Sequence, residues 1–203
     1  LKDEGIDLTE EHYYGSMGMD DAAFVKSAYA RAEKDLTENR LAAIREMKTA
    51  KWRAMVEQEI PLFDGVENFV RKMAQDFAVG IVSMARREEI EFVLEATNLR
   101  GCFSIIVSAE DIEHHKPNPE CYHKGFSLID AVRTARGSNP IVQNDCLVIE
   151  DAPPGIRAGK AAGLKTLGIS NTVSAEKLRE AGADVVSKSL NDWMPDSMRR
   201  VFV

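Results

Sequence analysis

The sequence lacks long apolar runs, an excess of basic charge and paired cysteines, and each absence removes a class of protein. No apolar run approaches the ~20 residues of a membrane-spanning helix, and no secretory signal peptide is visible. Lysines and arginines number 26 against 33 aspartates and glutamates, a formal net charge of −7, so we expect no general nucleic-acid-binding surface. The three cysteines (Cys102, Cys121 and Cys146) show neither metal-site spacing nor a disulfide framework, which fits a reducing compartment.

The hydrophobic pattern changes along the 203 residues and predicts two kinds of structure. Residues 8–57 have a helical pattern, with Asp20-Asp21 and Thr37 as helix caps. Pro61 then breaks the helical pattern. Beyond it the pattern predicts strands at 77–83, 104–108, 146–151, 164–169 and 184–187, and helices at 66–75, 86–97, 119–135, 154–162 and 174–181. This alternation is typical of βαβ units in a parallel sheet.

The most informative segment is LVIEDAPPGIRAGKAAG, residues 147–163. Its apolar start is typical of a buried parallel strand, which ends in the adjacent carboxylates Glu150 and Asp151. Ligands of open α/β sheets bind outside the carboxyl ends of such strands, and carboxylates suit a hard cation such as Mg²⁺. The alternative is that these acids cap the helix that follows.

Three further residues are candidates for binding an anion. Ser83 closes a predicted strand ahead of a helix, where it either binds an anion or caps the helix. Lys116 follows another strand in HHKPNPE, where prolines stiffen the turn and fix a positive charge for phosphate. Lys48, on the second early helix, either faces a substrate or is a solvated lysine, and solvation is also the alternative for Lys116.

Taken in order, IVSMA, KPNPECY and VIEDAPPGIRAGKAAG resemble the second, third and fourth motifs of the haloacid dehalogenase superfamily. The segment PLFDGVENFVRKM resembles the return from cap to core in its helical-cap branch, which includes phosphoglycolate phosphatases and β-phosphoglucomutases. The resemblance implies a Rossmann-like parallel sheet with flanking helices, plus a small all-helical cap domain. We expect the cap, incomplete at its N-terminus, at residues 1–57, and the α/β core at 58–203 without its first strand, which would be central in the sheet.

The resemblance also implies roles for individual residues. Ser83 and Lys116 would act in catalysis by contacting the transferring phosphoryl group, and Met84 would also contact substrate. Glu150 and Asp151 would hold Mg²⁺, directly or through water. Lys48 falls near the place where some mutase-like members carry a substrate-facing lysine.

One family motif is absent from these 203 residues. The family's Asp-x-Asp motif supplies the nucleophile and a general acid/base from the first strand, and no such spacing occurs in this sequence. Asp64 in LFDG follows no apolar strand and is better explained as a turn or helix cap. The sequence begins LKDEGIDL, as if inside the cap, so we expect about 20–30 further residues upstream, the size of a strand, a loop and a helix start.

The expected activity is that of a Mg²⁺-dependent phosphatase acting on a small phosphorylated metabolite, with residues 1–203 inactive when alone. A phosphomutase, a dehalogenase and a non-catalytic binding protein of the same fold are the alternatives. We expect no nucleic-acid or membrane partner, and a monomer or weak homodimer. The expected location is the cytoplasm, or an organelle stroma if a transit peptide has been removed.

Overall fold

Hydrogen bonds from side chains fix where the first long helices begin. The structure, a computed structural model, describes residues 1–202. Asp20 accepts from the Ala23 N–H at 2.7 Å and Thr37 from the Arg40 N–H at 3.2 Å, so both predicted caps are confirmed. The helices of this region are α1 (Glu10–Gly15), α2 (Asp21–Arg31) and α3 (Glu38–Val56). Within residues 1–202, no helix combines the length and the apolar character needed to cross a membrane.

Six buried residues form the core of this helical region: Ile6, Val25, Ala28, Tyr29, Leu41 and Ile44. The helix α2 ends at Arg31, and Glu33 just beyond its end adopts a positive φ of 52°. The helical spacing in α3 also includes Met47 and Met55, which are 38% and 69% exposed. The buried face of α3 is therefore narrower than the spacing of its apolar residues suggests.

The chain divides into two compact units, Leu1–Pro61 and Leu62–Val203. The sequence places the boundary at 57/58, and the difference of four residues (61 − 57) falls in the non-helical segment between α3 and the next helix. Pro61 lies in that segment, in agreement with its expected effect on a helix.

The second unit alternates helices and strands, as predicted. Its helices are α4 (Val66–Asp76), α5 (Arg87–Ala96), α6 (Glu120–Ala135), α7 (Pro153–Ala161), α8 (Ala175–Glu180) and α9 (Pro195–Phe202). Its strands are β1 (Gly80–Val82), β2 (Ile105–Val107), β3 (Leu147–Glu150), β4 (Lys165–Ile169) and β5 (Val185–Ser187). The strand predicted at 77–83 is shortened to three residues, and α9 was not predicted.

All strand pairs are parallel, but the strands form two sheets. One sheet has the order β1-β2 and the other β3-β4-β5. Among the residues that the structure describes, β1 and β3 are not hydrogen-bonded to each other. A cavity of about 460 Å³ is lined by residues of both strands, including Gly80, Val82, Leu147 and Val148.

A shared apolar core nevertheless packs against both sheets. Ile106 of β2 belongs to the same buried cluster as Leu167 and Ile169 of β4, and this cluster also includes Phe69 of α4 and Phe202 of α9. Side-chain packing therefore holds the two sheets together where backbone pairing does not. This arrangement fixes the carboxyl ends of the strands, at which the candidate residues lie.

Replacing Leu167 with alanine tests the contribution of this core to stability. Leu167 is fully buried, so Leu167→Ala should lower the free energy of unfolding by about 2–5 kcal/mol. Leu128→Ala is the matched control, because Leu128 is 37% exposed and its truncation should cost less than ~1 kcal/mol. Chemical denaturation monitored by circular dichroism measures both, and equal losses would contradict the assignment of Leu167 to the core.

Candidate functional site

Lys116 joins the carboxyl ends of the two sheets. Its ammonium Nζ donates to the backbone oxygen of Val82, the last residue of β1, at 3.1 Å. The same Nζ donates to Oε1 of Glu150, the last residue of β3, at 2.5 Å. The lysine side chain is only 8% exposed and that of Glu150 only 11%. The two sequence-predicted residues therefore form a buried ion pair, and Lys116 is not a solvated loop lysine.

Glu150 is held on two further sides. The hydroxyl of Tyr122, in the first turn of α6, donates to the same Oε1 at 2.5 Å. On another side the carboxyl group lies against the start of α7, where a Cβ built on Gly155 would come within 2.1 Å of the Glu150 carboxyl carbon. A side chain at 155 would therefore force the Glu150 carboxylate to move from this position.

The environment of Tyr122 keeps its hydroxyl protonated. Burial raises the pKa of Tyr122 well above its usual value, and the negative charge of Glu150 raises it further. The Tyr122 ring also lies 4.9 Å from Lys116 Nζ, measured to the ring centroid, within the range of a cation–π contact. Tyr122 thus contacts both members of the ion pair.

Asp151 has a separate partner. One of its carboxylate oxygens, Oδ2, accepts a hydrogen bond from the hydroxyl of Thr172, in the loop after β4. The residue at the N-cap of α7 is Ala152, and no side chain caps this helix. The alternative that Glu150 and Asp151 serve as helix caps is therefore excluded, and both acids remain available for chemistry at the strand end.

Ser83 follows β1 directly and lies next to the Val82 oxygen that Lys116 contacts. Its backbone N–H donates to the Val107 oxygen at 2.9 Å, and its Oγ accepts from the Ala85 N–H at 3.1 Å. The helix α5 begins only at Arg87, with Arg86 at its N-cap, so Ser83 is not the helix cap. Because Oγ acts as an acceptor in this turn, its O–H proton is left to donate.

The two other predicted substrate-binding residues have different surroundings. Met84 is half-buried and packs against the cluster that contains Ile105 and Cys121. Lys48 belongs to the helical unit, where it forms an ion pair with Asp21 at 3.0 Å. Their proposed contacts with substrate stay predictions.

The two tandem acids fit part of a Mg²⁺ site. They supply carboxylate oxygens at a strand end, the donors that this cation prefers. Among residues 1–202, however, no group of three or more His, Cys, Asp or Glu side chains is placed to hold a metal ion. A Mg²⁺ ion held by Glu150 and Asp151 would need its other ligands from water, from a substrate or from another carboxylate. Mg²⁺ commonly keeps several waters and binds through one or two carboxylates.

Sequence reasoning did not assign roles to Tyr122, Thr172 and Gly155. Tyr122 lies six residues after Lys116 in KPNPECY, on the first turn of the helix, where it faces the same site. Thr172 lies just beyond the end of β4, so the rule that ligands gather at carboxyl ends of parallel strands points to it. The Gly155 contact depends on where the side chain of Glu150, five residues earlier, is placed. No local sequence pattern predicts that placement.

Comparison with known proteins identifies the family. A family model for haloacid dehalogenase-like hydrolases matches residues 1–169, more than half of the chain. The chain therefore belongs to the haloacid dehalogenase-like hydrolase family, and the resemblance of its motifs is confirmed. Among its relatives is the pyrophosphatase PpaX of Bacillus cereus, which is 26% identical over 168 residues, covering 82% of this chain and 72% of that protein.

Solved structures share the fold. The β-phosphoglucomutase of Clostridium difficile superposes with a TM-score of 0.82 at 19% identity, covering 99% of this chain and 85% of that chain. A hydrolase from Pseudomonas syringae gives a TM-score of 0.76 at 20% identity, covering 100% of this chain and 88% of that chain. The predicted α/β fold is confirmed.

Gly155→Ala tests the close approach of Glu150 to α7. The added methyl group has no room beside the carboxyl group, so the ion pair must shift and the melting temperature should fall by several degrees. Gly101→Ala is the control in the same unit, because a Cβ there meets no atom within 4 Å. Thermal unfolding of the two variants measures the difference, and an unchanged melting temperature for Gly155→Ala would show that Glu150 lies elsewhere.

Proposed function

We propose that this protein is a Mg²⁺-dependent phosphatase that hydrolyses a small phosphorylated metabolite, such as a sugar phosphate or a phosphoglycolate-like acid. The observation that carries the proposal is the buried contact of Lys116 with Glu150 and with the carboxyl end of β1, beside Ser83 and Asp151. It groups a cation, a hydroxyl donor and two carboxylates, which are among the parts that phosphoryl transfer uses. Membership in a hydrolase family supports the same class of reaction.

Lys116 and Ser83 would stabilise the charge of the phosphoryl group. An ammonium group has three N–H donors, and Lys116 uses two of them on Val82 and Glu150. The third N–H and the Ser83 O–H are the donors proposed to contact phosphoryl oxygens. Donors that are fixed before the reaction stabilise developing charge without reorganising, and removing one typically costs a factor of about 10²–10³ in turnover.

Glu150 and Asp151 would hold the Mg²⁺ ion. When bound, this ion neutralises phosphoryl and carboxylate oxygens as charge builds up between them. The chain's own contribution is to orient the two acids. Tyr122 and Lys116 hold Glu150, and Thr172 holds Asp151.

The attacking carboxylate is proposed to lie on a strand outside these 203 residues. No Asp-x-Asp spacing occurs in them, and Asp64 lies in a turn where it accepts a hydrogen bond from Asn191 at 2.8 Å. The cavity between β1 and β3 supports this proposal. Residues of both strands line it, and within residues 1–202 β1 is hydrogen-bonded only to β2 and β3 only to β4, so each strand could accept a further parallel neighbour.

The proposed reaction has two displacements at phosphorus. A carboxylate oxygen forms a bond to phosphorus while the bond to the substrate oxygen breaks, and that oxygen takes up a proton from the second aspartate of the proposed Asp-x-Asp motif as it leaves. A water molecule then gives a proton back to that aspartate and attacks the aspartyl-phosphate, the carboxylate–phosphorus bond breaks, and inorganic phosphate is released. Lys116 and Ser83 face the same phosphoryl oxygens in both steps.

We propose that the helical segment 1–57 selects the substrate, with Lys48 as a substrate-facing cation, and that Met84 of the core also contacts the substrate. Because the relative PpaX is named a pyrophosphatase, inorganic pyrophosphate belongs among the substrates to be tested. We also propose that the protein is cytoplasmic and is a monomer or weak homodimer. It is proposed to have no nucleic-acid or membrane partner. A phosphomutase would instead return the phosphoryl group to the sugar, and product analysis distinguishes the two.

The first experiment measures turnover with and without the proposed strand. Residues 1–203 alone should release no phosphate above background from a panel of phosphate monoesters and pyrophosphate. A version extended at its N-terminus by a strand ending in Asp-x-Asp should show Mg²⁺-dependent release, and the same extension with Asn-x-Asn should not. Robust turnover by residues 1–203 alone would show that the nucleophile has been misplaced.

A second experiment tests the metal assignment in that extended protein. Asp151→Asn removes a charged ligand and should lower Mg²⁺-dependent phosphate release by roughly a hundredfold. Asp196→Asn is the control, since Asp196 lies on α9 with a side chain that is 82% exposed and paired only with Arg199. Unchanged turnover in Asp151→Asn would remove Asp151 from the proposed metal site.

A further inference from the structure

We propose that Tyr122 is a positioning residue of this site: its hydroxyl holds Glu150 so that one carboxylate oxygen binds Lys116 and the other faces the cation. The inference rests on the proposed function, because it assigns a role within the same site. It concerns a side chain that contacts neither the phosphoryl group nor the ion.

The two carboxylate oxygens of Glu150 accept different numbers of hydrogen bonds. Oε1 accepts from both Lys116 Nζ and the Tyr122 hydroxyl, each at 2.5 Å. Within residues 1–202, no hydrogen-bond donor reaches Oε2. A carboxylate accepts through both oxygens, so two donors on Oε1 leave Oε2 to bind a cation.

Tyr122 limits the motion of both Lys116 and Glu150. Its ring lies 4.9 Å from Lys116 Nζ, and its hydroxyl lies on Glu150. On another side of the carboxylate, the Gly155 contact leaves no space for a retreat towards α7. Without the hydroxyl, Glu150 is free to rotate and share both oxygens with Lys116, which would withdraw Oε2 from the cation and the ammonium from the phosphoryl group.

The hydrogen bond from Tyr122 to Glu150 has a charged acceptor, the carboxylate oxygen Oε1. Hydrogen bonds to charged acceptors are roughly twice as strong as those between neutral groups. Partners that orient metal ligands from outside typically change metal affinity by about 10–100-fold when they are removed.

Tyr122→Phe tests the inference, because it removes the hydroxyl and keeps the ring. The first readout is the ¹⁵N-detected ζ-NH₃⁺ signal of Lys116, assigned by its loss in Lys116→Met. We expect this signal to shift or broaden in Tyr122→Phe. Tyr29→Phe is the matched control, since Tyr29 is also buried and donates its hydroxyl to a glutamate, Glu4, in the helical unit. It should leave the Lys116 signal unchanged.

The second readout is the affinity for Mn²⁺, used as a paramagnetic substitute for Mg²⁺ and measured by electron paramagnetic resonance. Tyr122→Phe should weaken it roughly tenfold, and Tyr29→Phe should not weaken it. In a Glu150→Gln background, Tyr122→Phe should change the affinity less than about twofold, because the partner through which Tyr122 acts has lost its charge. A merely structural role would weaken binding equally in both backgrounds.

These outcomes separate the inference from the proposed function. A Lys116 signal that is unchanged in Tyr122→Phe, or an affinity loss that persists in Glu150→Gln, would overturn the positioning role. If the unsubstituted protein binds no Mn²⁺, the proposed metal site is contradicted instead, and the Lys116 signal alone decides on Tyr122. Neither readout requires turnover, so an inactive protein still gives an answer.

Discussion

The ion pair of Lys116 and Glu150 is the interaction on which the candidate site depends. It is the contact that links the carboxyl end of β1, through the Val82 oxygen, with the carboxyl end of β3. Since the two sheets share no backbone hydrogen bonds among the residues described, the relative position of their ends is fixed by this pair and by the apolar core behind it. The lysine therefore has a structural role in addition to its positive charge.

Such a pair is costly to bury, and its surroundings show how the cost is offset. Each charge loses hydration, and the attraction between the two recovers this only with good geometry and further hydrogen bonds. Lys116 has the Val82 oxygen and the Tyr122 ring, while Glu150 has the Tyr122 hydroxyl. Within residues 1–202, Oε2 of Glu150 and the third N–H of Lys116 have no hydrogen-bond partner. A bound cation would satisfy the first, and a phosphoryl group would satisfy the second.

Much of this arrangement follows from the sequence because its causes are local. Apolar runs predict the strands, Asp20 and Thr37 predict helix starts, and the strand-end rule selects Ser83, Glu150 and Asp151. The contact of Lys116 with Glu150 spans 34 residues, and that of Thr172 with Asp151 spans 21. Contacts at these separations depend on how the strands are ordered and how the helices pack, which periodicity does not encode.

The split sheet also explains why the cavity and the site belong together. Unpaired polar groups of a strand are unfavourable where water is excluded, yet β1 and β3 both line one largely apolar cavity. Lys116 satisfies the Val82 oxygen at the carboxyl end of this cavity, whereas no side chain of residues 1–202 repeats that contact at Gly80 or Leu147. A strand inserted between β1 and β3 would supply backbone partners along both edges, and its end would meet the charges of Lys116 and Glu150. The physical requirement for backbone pairing and the chemical requirement for a carboxylate thus point to the same position.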